Sequence, residues 1–126
     1  MTLADGCFDP LHIGHIAYLH AAAHMGRPLC VRVAPDTVIR QKGRTPFQSY
    51  SERAGLILAL KDVDRICGDD TLAGAVRRLK PARLVKGPDW RGRLPHEVME
   101  TCEAVGTKIL FTDTAFSSST ERLTHA

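Results

Sequence analysis

The sequence predicts an α/β domain in which one five-stranded parallel sheet is covered by helices on both faces. Three observations carry this expectation. Short apolar runs alternate with longer stretches of helical periodicity along the whole chain. Glycine and proline stand where the helical stretches stop. The chain has 126 residues, enough for one domain with a real core and not comfortably for two, so 1–126 reads as a single domain.

The elements follow in order. Leu3 to Cys7 is a brief strand. Gly14 to Met25 is a helix with Ile16, Tyr18, Leu19, Ala22 and Ala23 as its apolar stripe, stopped by Gly26 and Pro28. Leu29 to Ala34 is a second strand, and Pro35-Asp36-Thr37 opens a short helix to Gln41. Lys42 to Phe47 is a polar, punctuated loop. Ser49 to Leu60 is a helix capped by Ser49 or Ser51, with Leu56, Ile57 and Leu60 facing the core. Val63 to Cys67 is the third strand, Thr71 to Leu79 a helix ended by Pro81, and Arg83 to Lys86 a fourth strand stopping at Gly87-Pro88. Pro95 to Val105 is a helix with proline in its first turn. Thr107 to Phe111 is the fifth strand, and Ser119 to Leu123 starts a last helix.

Composition narrows the function classes. A formal net charge of +3 is too small to point to a nucleic-acid binder, although a mildly basic domain suits phosphorylated metabolites. The four cysteines, Cys7, Cys30, Cys67 and Cys102, form no C-x-x-C pair and read as buried reduced thiols. No apolar run approaches the ~18 residues of a membrane span. Met1 to Asp5 lacks the basic and apolar regions of a signal peptide, so a cytoplasmic protein without membrane contact is expected.

The chemistry concentrates in Gly6-Cys7-Phe8-Asp9-Pro10-Leu11-His12-Ile13-Gly14-His15, between the first strand and the first helix. Gly6 permits close backbone approach. Gly14 lies at the helix start, where free N–H groups and the helix dipole favour an anion. His12 and His15 are three residues apart around that start and can converge on one phosphate oxygen, stabilising charge that builds up there. Zinc would need a third ligand at a sensible spacing, and none is evident. His20 and His24, at i and i+4, read as a solvated helix face. In a doubly wound sheet ligands bind beyond the carboxyl ends of the strands, where Gly6 to His15, Lys86 to Trp90 and Ser117 to Thr120 all fall.

This segment resembles the G-x-F-D-x-x-H-x-G-H signature of the cytidylyltransferase-like nucleotidyltransferases. Three later segments match in order: Lys42 with Arg44, followed by Glu52-Arg53; Val85-Lys86-Gly87-Pro88-Asp89-Trp90, similar to V-K-G-G-D-Y; and Ser118-Ser119-Thr120-Glu121, similar to the S-T-T motif. The resemblance implies a three-layer Rossmann-like fold and transfer of a nucleotidyl group from a nucleoside triphosphate to a phosphorylated small molecule. It implies that His12, His15 and Lys42 are catalytic. Gly6, Cys7, Phe8, Asp9, Gly14, Lys86, Gly87, Asp89, Ser118, Ser119 and Thr120 would bind the nucleotide. Arg44, Arg53 and Trp90 would contact the acceptor. Mg²⁺ is expected with the triphosphate, no metal site of the protein's own, and a homodimer as in relatives. Without the resemblance, Lys42 and Arg44 are a solvated loop, Ser119 and Thr120 a helix cap, Asp89 a turn residue, and Arg53 a surface charge pairing with Glu52 or Asp62.

The reaction needs no covalent intermediate, since the attacking phosphate oxygen is already an anion. The opening Gly6-Cys7-Phe8-Asp9 and the pair Lys86-Gly87 resemble the adenylyltransferase domain of heptose-phosphate nucleotide synthesis. Cytidylyltransferases of the family often carry R-T-E-G before S-T-T, whereas Asp113-Thr114-Ala115-Phe116 has no arginine. ATP and a sugar 1-phosphate are therefore expected, with CTP and glycerol 3-phosphate or a phosphoalcohol as one alternative. A nucleotide-binding module without catalysis is the other.

Overall fold

The computed structural model describes residues 1–113; the predicted last helix and Ser118, Ser119 and Thr120 lie outside them. Strands β1 (Thr2–Gly6), β2 (Leu29–Val33), β3 (Arg65–Cys67), β4 (Arg83–Lys86) and β5 (Lys108–Phe111) form one sheet in the order β3-β2-β1-β4-β5. Every pairing is parallel. Between them run α1 (Ile13–Met25), α2 (Asp36–Gln41), α3 (Tyr50–Leu58), α4 (Leu72–Leu79) and α5 (His96–Val105). A single 3₁₀ turn, Pro88–Trp90, follows β4. This is the parallel sheet covered on both faces that the alternation predicted, in the three-layer, Rossmann-like arrangement that the resemblance implied.

Each face of the sheet carries its own core. Ala4, Val31, Val33 and Val85 pack with Leu19 and Ala22 of α1 and Ile57 of α3. Leu3, Cys30 and Leu84 pack on the opposite face with Ala73 and Val76 of α4 and Val98 and Cys102 of α5. Alternation along a strand causes this division: odd and even residues point to opposite faces. With both faces covered, β2 is buried at all five positions, Arg32 included.

Local signals place the helix starts well. The Ser49 hydroxyl accepts the Glu52 N–H at 3.3 Å, and the Thr71 hydroxyl accepts the Gly74 N–H at 3.0 Å. The predicted core faces need two corrections. Leu56 is 43% exposed and Ile16 is 36% exposed. On α3 the buried set is Arg53, Ala54 and Ile57, spaced i, i+1, i+4, and Leu56 lies beside that face, turned to solvent. Arg53 displaces the apolar periodicity because it fills a core position that hydropathy assigns to Leu56. The third strand is also shorter than predicted, starting at Arg65; Val63 instead enters the core beside it.

The thiols divide. Cys30 and Cys102 are buried as expected, whereas Cys7 and Cys67 are half-buried, and all are free. No helix among the described residues is long and apolar enough to cross a membrane.

Candidate active site

In the strand order, connections from β1 run outward to β2 and β3, and the chain then returns to place β4 on the other side of β1. That reversal opens a crevice at the carboxyl ends of β1 and β4. A cleft of about 1010 Å³ occupies it. Gly6, Cys7, Phe8, Asp9, His12, Gly14, His15, Lys42, Arg44, Lys86, Gly87, Asp89 and Trp90 all line it. Segments as far apart in the sequence as Gly6 and Trp90 therefore meet at one place.

One end of the cleft is built by the turn from β1 into α1. Phe8 takes a left-handed backbone, φ 52°, and is 2% exposed. Its ring folds back over Gly6, where a β-carbon would lie 2.8 Å from Phe8 Cζ. Gly6 is thus required by close approach, and the inward Phe8 ring leaves the backbone of Cys7 on the cleft wall. The same ring meets His15 edge-on, with centroids 5.1 Å apart at 81°.

His12 precedes the first residue of α1 in an extended conformation, and its backbone N–H donates to His15 Nδ1 at 3.2 Å. The two imidazoles stack, centroids 3.5 Å apart and 15° from parallel. Burial, with a further contribution from the charge of His12, pushes His15 down to about 4. Burial also lowers His12. Both rings titrate below the ordinary 6.5 and are neutral at pH 7, and repulsion between two stacked imidazolium cations works in the same direction. Because His15 Nδ1 accepts a hydrogen bond, its proton sits on Nε2. The pair therefore offers neutral N–H donors rather than fixed positive charge.

Asp9 organises the opposite rim. Its carboxylate accepts the backbone N–H groups of Phe47 and Gln48, each at 2.8 Å, and so ties the loop after α2 to the turn between β1 and α1. Burial raises the Asp9 pKa, but these hydrogen bonds and the charges of Arg53 and Arg44 outweigh it and leave it below the usual value. Lys42, at the end of α2, brings Nζ to 3.6 Å from Cys7 Sγ.

Arg53 is not on the cleft wall. Its side chain is fully buried and donates to the carbonyls of Cys7 (2.9 Å), Ala34 (2.6 Å) and Gln48 (3.2 Å). It also pairs with Asp36 at 2.5 Å. This replaces the substrate contact expected of it, and the surface-charge alternative, with a positioning role. One planar guanidinium joins the ends of β1 and β2 to the start of α3, satisfying carbonyls that the sheet leaves unpaired. Asp62, once an alternative partner, pairs instead with His20 at 3.0 Å.

Lys86 is 3% exposed, bonded to Asp5 at 3.0 Å, with Nζ 4.3 Å from the centroid of the Trp90 ring. Gly87 has open space where a side chain would be, so the cleft floor stays accessible there. Sequence reasoning missed Asp5, Arg32, Tyr18 and the Thr71–Ala73 segment, all of which line the cleft. An arginine inside the apolar run Leu29 to Ala34 was the available signal for Arg32. Tyr18 carried no signal; it closes the wall by donating to the Val85 carbonyl and accepting the Asp5 N–H.

Known proteins share this architecture. The profile of the family described as cytidylyltransferase-like matches residues 3–122. The bifunctional protein HldE of Gluconobacter oxydans is 37% identical over 98% of this chain and 26% of its own length. HldE of Campylobacter fetus is 39% identical over 74% of this chain and 21% of its own length. The chain thus spans about a quarter of these curated relatives or less. A lipopolysaccharide core biosynthesis protein from Thermoplasma volcanium superposes with a TM-score of 0.79 at 33% identity, covering 90% of this chain and 96% of that one. A protein from Archaeoglobus fulgidus shares the fold, with a TM-score of 0.69 at 20% identity. A profile match over nearly the whole chain, joined to stacked histidines at a strand-to-helix turn, settles the kinship: the chain belongs to the cytidylyltransferase-like family.

Proposed function

We propose that this chain transfers AMP from ATP to a sugar 1-phosphate, such as heptose 1-phosphate, and releases pyrophosphate. The observation that carries the reading is the stacked His12–His15 pair at the N-terminus of α1, inside a cleft large enough for two phosphorylated molecules. A phosphate oxygen of the acceptor attacks the α-phosphorus, the bond to the bridging oxygen breaks, and pyrophosphate leaves with that electron pair. No proton has to be removed from the nucleophile, so the site needs no general base. His15 Nε2–H and the N–H groups of Ile13 and Gly14 at the start of α1 donate to the oxygens on which charge builds. Lys42 and Arg44 neutralise the incoming phosphates, Lys86 and Gly87 form the floor, and Asp89 and Trp90 shape the wall.

The lining supports MgATP as the substrate form. Among the described residues, Arg32, Lys42, Arg44 and Lys86 on the cleft wall are matched by Asp5, Asp9, Asp89 and Glu97. A wall with no net formal charge cannot neutralise a triphosphate and a second phosphate. No group of three or more metal-ligating side chains occurs among the described residues, and the Asp9 carboxylate is taken up by two backbone N–H groups. The ion therefore arrives with the nucleotide, held by phosphates and water.

ATP is preferred to CTP because the Gly6–Asp9 and Lys86–Gly87 segments resemble the adenylyltransferase domain of heptose-phosphate nucleotide synthesis. A relative in lipopolysaccharide core biosynthesis supports a sugar acceptor. Pyrophosphate release measured for ATP and CTP against sugar 1-phosphates and glycerol 3-phosphate tests the reading. ATP with a sugar 1-phosphate is expected to be fastest. Preference for CTP and glycerol 3-phosphate would replace it, and nucleotide binding without turnover would leave a binding module.

A further inference from the structure

Three adjacent strands carry a charged residue at the same level of the sheet. Asp5 of β1 pairs in register with Arg32 of β2. Leu3 pairs with Leu84 of β4, so Lys86, two residues on, stands beside Asp5 on its other side. Alternation puts all three on the face that carries Leu3, Cys30 and Leu84, under α4 and α5. Arg32 donates to Asp5 Oδ1 at 2.8 Å, and Lys86 donates to Asp5 Oδ2 at 3.0 Å. Side-chain exposure along the row is 6%, 12% and 4% for Arg32, Asp5 and Lys86. Burying three charges is costly unless their remaining hydrogen-bonding capacity is used.

The row forms the floor of the cleft on the side away from the histidines, with the start of α4 (Thr71, Leu72, Ala73) as its wall. Arg32 is fixed by the Asp69 and Asp70 carbonyls at 2.8 and 2.7 Å, on the loop leading into α4. Among the described residues, three of its five N–H groups are thereby engaged. Each Asp5 oxygen keeps a further lone pair, and the Lys86 ammonium keeps donors beyond the one given to Asp5. Along the row the chemistry reads donor, acceptor, donor.

We propose that Arg32, Asp5 and Lys86 form a subsite that reads the hydroxyl groups of the acceptor's sugar ring. Ring hydroxyls donate and accept at once, so a rigid row of alternating donors and acceptors complements neighbouring hydroxyls, whereas phosphate alone would need only the cations. The subsite rests on the sugar-phosphate reading above, and it makes Arg32 and Asp5 determinants of specificity and not catalytic residues.

Calorimetric titration of the full chain, with α,β-methylene-ATP and Mg²⁺ bound, tests this with mannose 1-phosphate and ethyl phosphate, a monoester with no hydroxyl on its carbon chain, as probes. Wild type is expected to bind mannose 1-phosphate at least about tenfold more tightly, since paired polar groups left without their hydroxyls are penalised. Arg32→Gln and the nearly isosteric Asp5→Asn should each remove most of that preference and leave affinity for α,β-methylene-ATP within about twofold. Unchanged nucleotide affinity also shows that a variant has folded. Equal affinity of wild type for both probes overturns the proposal, as does an equal loss of both in the variants. If the preference is present but no acceptor yields pyrophosphate, nucleotidyl transfer fails while the subsite stands.

Discussion

The Arg53 guanidinium, fully buried, donates to the Cys7 carbonyl at 2.9 Å and so fixes the turn between β1 and α1. Cys7 follows directly on β1, and Arg53 lies in α3, forty-six residues later. The same nitrogen reaches the Ala34 carbonyl at the end of β2. The cleft edge is therefore held by a side chain that does not line it.

Arg53→Met should lower stability by about 3 kcal/mol, because three carbonyls lose a charged donor and Asp36 loses its partner. Asp36 is 30% exposed and can recover water, which keeps the loss below that of a wholly buried pair. Arg53→Lys should recover little of it, since an ammonium cannot span the same fork. Urea midpoints at constant m-value would show this; full stability in Arg53→Lys would contradict the fork.

Gly6→Ala should destabilise the chain by about 1–3 kcal/mol through overpacking, as the new methyl would sit 2.8 Å from the Phe8 ring. Phe8→Leu in the same chain should return part of that loss. A double-mutant cycle reads the coupling directly, and additive losses would mean the ring yields easily.

His15→Ala should reduce kcat by about 10²–10³-fold with a smaller effect on nucleotide affinity, as for removal of a donor to developing charge. The protonation state is checkable by nitrogen NMR of the imidazole. His15 should carry its proton on Nε2 and titrate near 4. The sign for stability follows. The folded pKa lies below the unfolded 6.5, so protonation favours the unfolded chain. The contribution of His15 is complete above pH 6.5 and declines as pH falls toward 4, and His15→Gln should flatten the profile in that window.

Asp9→Ala should free the loop from Lys42 to Gln48, because both of its anchoring N–H bonds go to that carboxylate. Trypsin should then cut after Lys42 or Arg44 faster than in wild type, with the KM for the acceptor raised. Its folded pKa lies below 3.8, so this anchoring persists above that value and is lost as pH falls through the folded pKa. Unchanged proteolysis would show that Arg53 alone holds the loop.

The strand–helix alternation, a serine cap at the start of α3, and the segment Gly6 to His15 as a strand-to-helix turn were legible in the sequence. They depend on local period, local capping and the spacing of a few residues along one turn. Leu56 and Arg53 were assigned the wrong way round because hydropathy ranks leucine above arginine, and only the packed carbonyls of three separate segments make burial of the arginine favourable. Arg32 beside Asp5, and Asp5 beside Lys86, are likewise unreadable locally: the partners stand 27 and 81 residues apart. Local pattern was enough to reach the class of fold and to single out the turn from Gly6 to His15. The tertiary structure decided which charges hold the cleft and which face into it, because strand order and register alone bring those side chains to one level of the sheet.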